Sequence, residues 1–131
     1  MIAAIIQARV GARRLPNKTL IPIGEHTLLG WTIQAVKACP LLDQVIVATT
    51  TDPADEPVCD LARQYGVLAF RGNENDVLDR FVQCAREFAV DVICRVSGDS
   101  PLWSPWAGNF VIQEFLAAGV DYAANCIRDV Y

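Results

Sequence analysis

Residues 2–18 read Ile2-Ala3-Ala4-Ile5-Ile6-Gln7-Ala8-Arg9-Val10-Gly11-Ala12-Arg13-Arg14-Leu15-Pro16-Asn17-Lys18. The run Ile2–Ile6 is apolar without interruption, which is typical of a strand buried on both faces of a parallel sheet. Residues 9–18 are expected to form a loop, because Gly11 and Pro16 interrupt regular structure. A buried strand that ends in such a loop is typical of the first unit of an α/β fold.

Strand and helix patterns alternate along the rest of the chain. This alternation predicts one α/β domain over residues 1–131, with a mostly parallel sheet and helices on both faces. The further strands are expected at Gln44–Thr50, Val67–Phe70 and Asp91–Val96, with the start of a fifth at Asp121–Ala124. The helices are expected from Thr27 to about Ala38, from Asp55 to Gly66, from about Asp76 to Phe88, and onward from Ser104–Pro105. Their inward faces are expected to include Leu29, Ile33, Val36, Val77, Phe81, Cys84, Phe110, Val111 and Phe115.

The loops that follow the strands are expected to lie along one edge of this sheet, because parallel crossovers are right-handed. Ligands bind at that edge, near the point where the strand order reverses. The loops after the first and fourth strands, Gln7–Lys18 and Ser97–Leu102, carry the residues of greatest chemical interest.

Composition limits the class of protein. A length of 131 residues suits one domain, and 53% hydrophobic residues argue against disorder. No apolar run reaches the roughly 18 residues of a membrane span, and no signal peptide precedes the first strand, so a cytoplasmic protein is expected. The five cysteines include no CxxC pair, which indicates buried free thiols in a reducing compartment.

Charge is distributed unevenly along the chain. The net charge of −4 argues against a surface that binds a nucleic acid polymer. Arg9, Arg13, Arg14 and Lys18 nevertheless fall within ten residues that contain no acid. A cationic cluster on an acidic protein indicates a small anionic ligand.

The first loop has the features of a phosphate-binding loop. Ala8, Gly11 and Ala12 are small enough to let the backbone approach a ligand. Arg9 and Arg14 can form bidentate bonds to phosphate oxygens, and Lys18 supplies a point charge. The loop matches neither GxxxxGK[ST] nor GxGxxG. The alternative interpretation is a solvated basic loop.

Two further stretches carry candidate residues. In the second loop, Asp99 follows a buried strand and a glycine, where it can hold a metal ion or merely form a turn. In the stretch Arg71–Arg80, either Asn75 or Asp76 is expected to cap the third helix, and Asp79 and Arg80 can belong to a solvated helix face.

The sequence resembles the cytidylyltransferase-like family that includes spore coat polysaccharide biosynthesis protein F. It is more distantly similar to acylneuraminate and 3-deoxy-manno-octulosonate cytidylyltransferases. The matching stretches run in family order and are Ile5–Arg9, Arg14–Lys18, Val47–Thr50, Phe70–Gly72, Asp76–Arg80 and Arg95–Pro101. The sequence departs from the family at Ala12, where relatives often have serine, and at Asn17, where they often have glycine.

The resemblance implies a Rossmann-like nucleotide-diphospho-sugar transferase fold that is C-terminally incomplete. It implies that Arg9, Arg14 and Lys18 hold the triphosphate of CTP and that Asp99 binds Mg²⁺, with Arg14, Lys18 and Asp99 as catalytic residues. The full set of nucleotide-binding residues predicted in this way is Gln7, Ala8, Arg9, Gly11, Arg14, Lys18, Arg71, Asp79, Arg80, Ser97 and Gly98.

The expected reaction is nucleotidyl transfer, in which a hydroxyl of an acidic sugar attacks the α-phosphate of CTP and pyrophosphate leaves. Such a product serves surface or spore-coat polysaccharide synthesis. The alternatives are a non-catalytic nucleotide-binding module and a truncated fragment. Because similar enzymes are longer, the chain alone is expected to be a poor catalyst, and an uncovered sheet edge would favour a homodimer.

Overall fold

A computed structural model of the protein describes residues 1–11 and 15–125. Its main sheet contains four parallel strands in the order β5-β4-β1-β6. The strand bounds are β1 Ile2–Gln7, β4 Gln44–Thr50, β5 Leu68–Gly72 and β6 Val92–Ser97. Two short strands, β2 Pro22–Ile23 and β3 His26–Thr27, pair in an antiparallel ribbon. Gly24 turns this ribbon in the left-handed region, with φ of 64°.

Four helices connect and cover the strands. They are α1 Leu28–Lys37, α2 Glu56–Gln64, α3 Val77–Glu87 and α4 Pro105–Ala118. Three begin at a side-chain cap, in which the oxygen of Thr27, Asp76 or Ser104 accepts a bond from the backbone N–H three residues later. Short 3-10 turns at Lys18–Leu20 and Pro53–Asp55 complete the regular structure.

The core lies on both faces of the sheet, as the uninterrupted apolar run of β1 predicts. Ala4 and Ile6 point to one face and pack with residues of α1 and α2, including Leu29, Ile33 and Val58. Ala3 and Ile5 point to the other face and pack with Phe70 of β5 and with Phe81 and Cys84 of α3. All four of these β1 side chains are fully buried, so the central strand is fixed from both sides.

The strand order reverses at β1. The chain runs from β1 to β4 and then to β5 on one side, and it crosses to β6 on the other side of β1. The carboxyl ends of β1 and β6 are adjacent, since Gln7 pairs with Ser97. The predicted α/β fold is therefore confirmed, and the first and second loops leave the sheet next to each other.

The strands and helix faces differ from prediction in several places. The third and fourth predicted strands end later than expected, at Gly72 and Ser97, because their pairing with β4 and β1 continues to those residues. Asp121–Ala124 is not a strand; it lines a groove beside β6 without pairing with it. Val77, at the start of α3, is 41% exposed, and Phe110 is 52% exposed and stacks on the exposed ring of Trp106.

The described cysteines are free thiols and are mostly buried, as the lack of a CxxC pair indicates. Cys39, Cys59 and Cys84 are buried and Cys94 is half-buried, all without disulfides. Burial raises the pKa of the Cys84 thiol to about 12 and that of Cys94 to about 11. Cys126 lies outside the described residues. Within residues 1–11 and 15–125, no helix has the length and apolar character needed to span a membrane.

Candidate functional site

The two loops at the strand-order reversal meet through an ion pair. The ammonium group of Lys18, at the end of the first loop, donates a hydrogen bond to the carboxylate of Asp99 in the second loop. The other oxygen of Asp99 accepts a 2.5 Å hydrogen bond from the hydroxyl of Ser97. Both charged side chains keep about a third of their surface in solvent, 35% for Lys18 and 37% for Asp99, so a ligand can reach them.

This contact depends on a close approach of the backbones at Gly98. The N–H of Gly98 donates to the carbonyl of Gln7 at 2.8 Å and so joins the ends of β1 and β6. A Cβ on Gly98 would lie 2.8 Å from the oxygen of Gln7 and 2.9 Å from the Cβ of Ala8. Glycine at 98 and a small residue at 8 are therefore required by packing, whether or not they touch a ligand.

A side chain of helix α1 contacts the backbone of the second loop. The hydroxyl of Thr32 is fully buried and lies 3.2 Å from the carbonyl of Gly98 and 3.2 Å from that of Leu28. The hydroxyl has a single hydrogen, which it donates to one of these two carbonyls or shares between them, so Thr32 links α1 to the Gly98 turn. The sequence analysis did not identify Thr32, and an amphipathic helix pattern with a buried threonine was the only signal available.

Electrostatics keep Asp99 in its charged form. The hydrogen bond from Lys18, and then the one from Ser97, hold the pKa of the Asp99 carboxyl below its ordinary value. The site therefore presents an anionic oxygen acceptor and a cation in direct contact. Such a pair can separate when each charge finds a partner on a ligand: the ammonium on a phosphate, and the carboxylate on a divalent cation.

The first loop is held in shape by its backbone. Its amino end is tied to the sheet because Ala8 donates to the carbonyl of Ala48 at 3.2 Å. Its two arms are tied together because Asn17, in the left-handed region with φ of 58°, donates to the carbonyl of Val10 at 3.1 Å. Arg9 is exposed, so its guanidinium is accessible to a ligand. Ala12, Arg13 and Arg14 lie outside the described residues.

Asp55 lies where the second helix was predicted to begin, but its side chain has a different role from that of a helix cap. The residue occupies the cap position, but its side chain makes no capping bond. It is 3% exposed and turns instead toward the first loop, where it accepts a 2.7 Å hydrogen bond from the N–H of Val10. Its other oxygen accepts bonds from the hydroxyl and the N–H of Thr50 at the end of β4.

Arg71 is engaged by the loop that follows β4. Its guanidinium donates to the carbonyl of Thr50 at 3.0 Å and to that of Asp52 at 2.7 Å, and it pairs with the carboxylate of Glu56. These bonds use donors on all three of its nitrogens. In the ligand-free geometry Arg71 therefore shapes the rim of the site.

Arg80 is also turned inward. It is 2% exposed and donates to the carbonyls of Asn73, at 2.9 Å, and Glu74, at 3.3 Å. Burial lowers the pKa of its guanidinium, and the nearby positive charge of Arg9 lowers it further. The solvated helix face considered for Arg80 is therefore wrong. Asp79 is half-buried and accepts a 3.2 Å bond from the amide of Gln83 within α3, away from the Lys18–Asp99 pair.

A groove runs from this ion pair along β6 and under α4. Gln7, Ser97, Asp99 and Trp103 line the end nearest the two loops. The Oε1 atom of Gln7 is buried there and has no hydrogen-bond partner among the described residues. An unpaired buried acceptor costs free energy, which a donor on a bound ligand would recover.

The residues described contain no cluster of three or more His, Cys, Asp or Glu side chains placed to hold a metal ion. Where the two loops meet, the carboxylate in contact with Lys18 is that of Asp99. A magnesium ion in proteins commonly keeps several waters and is bound by one or two carboxylates together with substrate phosphates. The carboxylate of Asp99 is therefore compatible with a cation that binds together with a nucleotide, whose phosphates supply further ligands. It does not fit a metal site made of protein side chains alone.

Comparison with known proteins was made on both sequence and structure. The chain is 35% identical over 125 residues to spore coat polysaccharide biosynthesis protein SpsF of Bacillus subtilis, covering 92% of this chain and 52% of that protein. It is 33% identical over 106 residues to 3-deoxy-manno-octulosonate cytidylyltransferase of Acidobacterium capsulatum, covering 79% of this chain and 42% of that enzyme.

The fold is similar to that of a cytidylyltransferase from Leptospira borgpetersenii serovar Hardjo-bovis. The TM-score is 0.85 and the identity 34%, covering 88% of this chain and 49% of that one. The chain thus spans about half the length of the relatives it matches. A model of the cytidylyltransferase family matches residues 3–131, which include both loops of the site. The chain belongs to the cytidylyltransferase family.

Proposed function

We propose that this protein binds CTP at the junction of the first and second loops and takes part in the transfer of its cytidylyl group to an acidic sugar. The observation that carries the proposal is the contact between Lys18 and Asp99 at the carboxyl ends of β1 and β6. This contact brings an ammonium group and a carboxylate, which we assign to phosphate and to a metal ion, to the edge where parallel sheets of this kind bind nucleotides.

The triphosphate would be held by the first loop. Arg9 and Lys18, with Arg14 from the part of the loop outside the described residues, supply three positive charges for the phosphate oxygens. Gly11 leaves room for the backbone to approach the ligand, since a Cβ there would meet no atom of the described residues within 4 Å. As the bond to the α-phosphate breaks, these cations stabilise the charge that develops on pyrophosphate.

Asp99 is the residue we assign to Mg²⁺. A magnesium ion held by Asp99 would supply positive charge that neutralises the phosphates. Asp99 contributes a carboxylate kept ionised by Lys18 and Ser97, and Ser97 and Gly98 fix its position. When the nucleotide binds, Lys18 exchanges its bond to Asp99 for a bond to phosphate. Before that, the ion pair gives each of the two charges a partner.

Gln7, Arg71, Arg80 and Asp79 are proposed to act around the nucleotide. The unpaired Oε1 of Gln7 accepts a hydrogen bond from a hydroxyl or amine of a bound ligand. Arg71 and Arg80 hold the loops after β4 and β5, which shapes the side of the site opposite Asp99. Asp79 has the weakest support in this set, because its carboxylate is engaged within α3.

The acceptor is proposed to be an acidic sugar, and the product a precursor of a surface or spore-coat polysaccharide, in the cytoplasm where CTP is available. Support comes from the names of the relatives, which include a 3-deoxy-manno-octulosonate cytidylyltransferase and a spore coat polysaccharide biosynthesis protein. The groove beside β6 offers apolar walls and few cations, so a carboxylate of the sugar needs residues beyond those described. We further propose that two copies of the chain associate through the outer edge of β6, which pairs with no other strand among the described residues.

The test combines nucleotide binding with turnover. Calorimetric titration with CTP, UTP, ATP and GTP in the presence of Mg²⁺ should show binding with a preference for CTP. Pyrophosphate release from CTP, assayed with a panel of acidic sugars, should be slow for the 131-residue chain. Absence of binding to every nucleotide would contradict the proposal. Binding without release under any acceptor would favour a nucleotide-binding module.

A further inference from the structure

We propose that Asp55 is a positioning residue for the triphosphate loop: its carboxylate fixes the backbone of Val10, between Arg9 and Gly11, in the conformation that receives the phosphates. This inference rests on the proposed function. It assigns a role to a buried acid that lies 45 residues from the loop in sequence and that belongs to none of the predicted site residues.

The geometry places Asp55 between the loop and the sheet. One oxygen accepts the N–H of Val10 at 2.7 Å, and the other accepts the hydroxyl of Thr50 and, at 3.3 Å, its N–H. Three donors from two segments therefore converge on one carboxylate that is 3% exposed. A carboxylate has acceptors on both oxygens and no obligatory donor, which suits three donors better than any other side chain of this size.

The residue is held rigidly by its own turn. Asp55 ends the 3-10 turn Pro53–Asp55, whose first N–H groups are satisfied because Asp52 accepts a 2.9 Å bond from Ala54. It also stands at the cap position of α2, so its Cα is fixed by the helix that follows. The position of Val10 is thus set by the rigid β4–α2 connection and not by the loop itself.

Val10 is the point through which the two arms of the loop are coupled. Its N–H is held by Asp55, and its carbonyl accepts the N–H of Asn17, the residue before Lys18. Fixing Val10 therefore fixes the backbone on the Arg9 side and on the Lys18 side together. A loop ordered in advance loses less conformational entropy when a ligand binds, so the bond contributes to nucleotide affinity without touching the nucleotide.

The positive charge of a nearby arginine offsets the free-energy cost of burying the Asp55 carboxylate. Arg80 is buried close enough for the negative charge of Asp55 to favour its protonated form, while Arg9 disfavours it. Burying a carboxylate is expensive unless it is hydrogen-bonded and near a positive charge, and both conditions hold here. A residue needed only to cap α2 would not require either of them.

The experiment compares three substitutions, of which Asp55→Ser and Thr50→Val both remove the bond between the Thr50 hydroxyl and Asp55. Asp55→Ser keeps a good helix-capping residue but removes both the Val10 and the Thr50 bonds, because serine has a single oxygen and is shorter. Thr50→Val removes the hydroxyl bond to Asp55 and leaves the bond to Val10. Asp55→Asn retains one oxygen that can accept from Val10. CTP affinity is measured by calorimetry with Mg²⁺, and stability by urea unfolding.

We expect Asp55→Ser to weaken CTP binding about tenfold, as for the loss of one hydrogen bond to a charged group. Thr50→Val should stay within about twofold of wild type, and Asp55→Asn should recover most of the loss, although all three lower stability. Equal losses of affinity in Asp55→Ser and Thr50→Val would overturn the inference while leaving the proposed function intact. If wild type binds no CTP, the proposed function falls, and this inference with it.

A second measurement does not depend on any variant folding. In wild type without nucleotide, the Val10 amide should exchange with solvent as slowly as amides of β1, because its hydrogen is held by a buried carboxylate. Exchange at the rate of an exposed loop amide would show that Asp55 does not order the loop, and would overturn the inference.

Discussion

Substitution of Gly98 by alanine tests whether the two loops are held together as described. The new Cβ would lie 2.8 Å from the carbonyl oxygen of Gln7 and 2.9 Å from the Cβ of Ala8. Both atoms belong to the end of the central strand and cannot move independently of it. The backbone at Gly98 must therefore shift by several tenths of an ångström, which lengthens the 2.8 Å bond from its N–H to Gln7.

The magnitude follows from three contributions. Overpacking at a rigid position costs about 1–3 kcal/mol, and weakening one backbone hydrogen bond adds up to about 1 kcal/mol. Replacing glycine by alanine restricts the unfolded chain, which offsets about 0.4–1 kcal/mol. A net loss of about 1–3 kcal/mol is expected, equivalent to a fall of roughly 4–15 °C in Tm for a chain of this length.

The matched control is Gly11→Ala in the first loop, where an added Cβ meets no atom of residues 1–11 or 15–125 within 4 Å. Its free energy of unfolding should stay within about 0.5 kcal/mol of wild type. The assay is urea unfolding followed by circular dichroism, with CTP titration of each folded variant. If Gly98→Ala is as stable as Gly11→Ala and binds CTP as well as wild type does, the close contact between the ends of β1 and β6 is refuted.

Three further predictions concern charge and thiol chemistry. Asp99→Asn should leave the fold intact and reduce the effect of Mg²⁺ on CTP affinity; a Mg²⁺ response equal to that of wild type would exclude Asp99 as a ligand. Because the folded-state pKa of Asp99 lies below the ordinary 3.8, its ion pair should stabilise wild type fully above about pH 4 and progressively less below it. Urea unfolding should therefore show wild type and Asp99→Asn converging in stability as the pH falls, and a constant difference would contradict this. Cys84 and Cys94, with pKa values raised by burial to about 12 and about 11, should resist iodoacetamide at pH 8 until urea unfolds the chain, as site-resolved mass spectrometry would show.

The sequence predicted the arrangement of elements well because the strong signals are local. Uninterrupted apolar runs marked the strands, and the bounds of Gln44–Thr50 agree with β4 at both ends. Caps at Thr27 and Ser104 were identified from residue type and position. The meeting of the first and second loops also followed, since right-handed crossovers leave few ways to order four parallel strands.

The direction of long side chains could not be predicted from local pattern. Arg80 follows helical spacing that fits a solvated face, yet carbonyl groups of the preceding loop draw it inward. Asp55 has the type and position of a cap, yet donors from Val10 and Thr50 compete for its oxygens and win. In both cases the partners lie outside the helix itself, so the spacing of residues within the helix carries no information about them.

The most direct test of the central claim compares the two lysines of the chain. Lys18 contacts Asp99 at the proposed triphosphate site. Lys37 lies in the last turn of α1 and donates a hydrogen bond to the carbonyl of Tyr65. Both are exposed enough for alanine to be tolerated, and each substitution removes the same charge from the protein. Calorimetric titration with CTP and Mg²⁺ at one salt concentration should show Lys18→Ala, like Arg14→Ala, binding more weakly by about 1–3 kcal/mol. Lys37→Ala should bind as wild type does, and equal affinities for the Lys18 and Lys37 variants would contradict a triphosphate site at this junction.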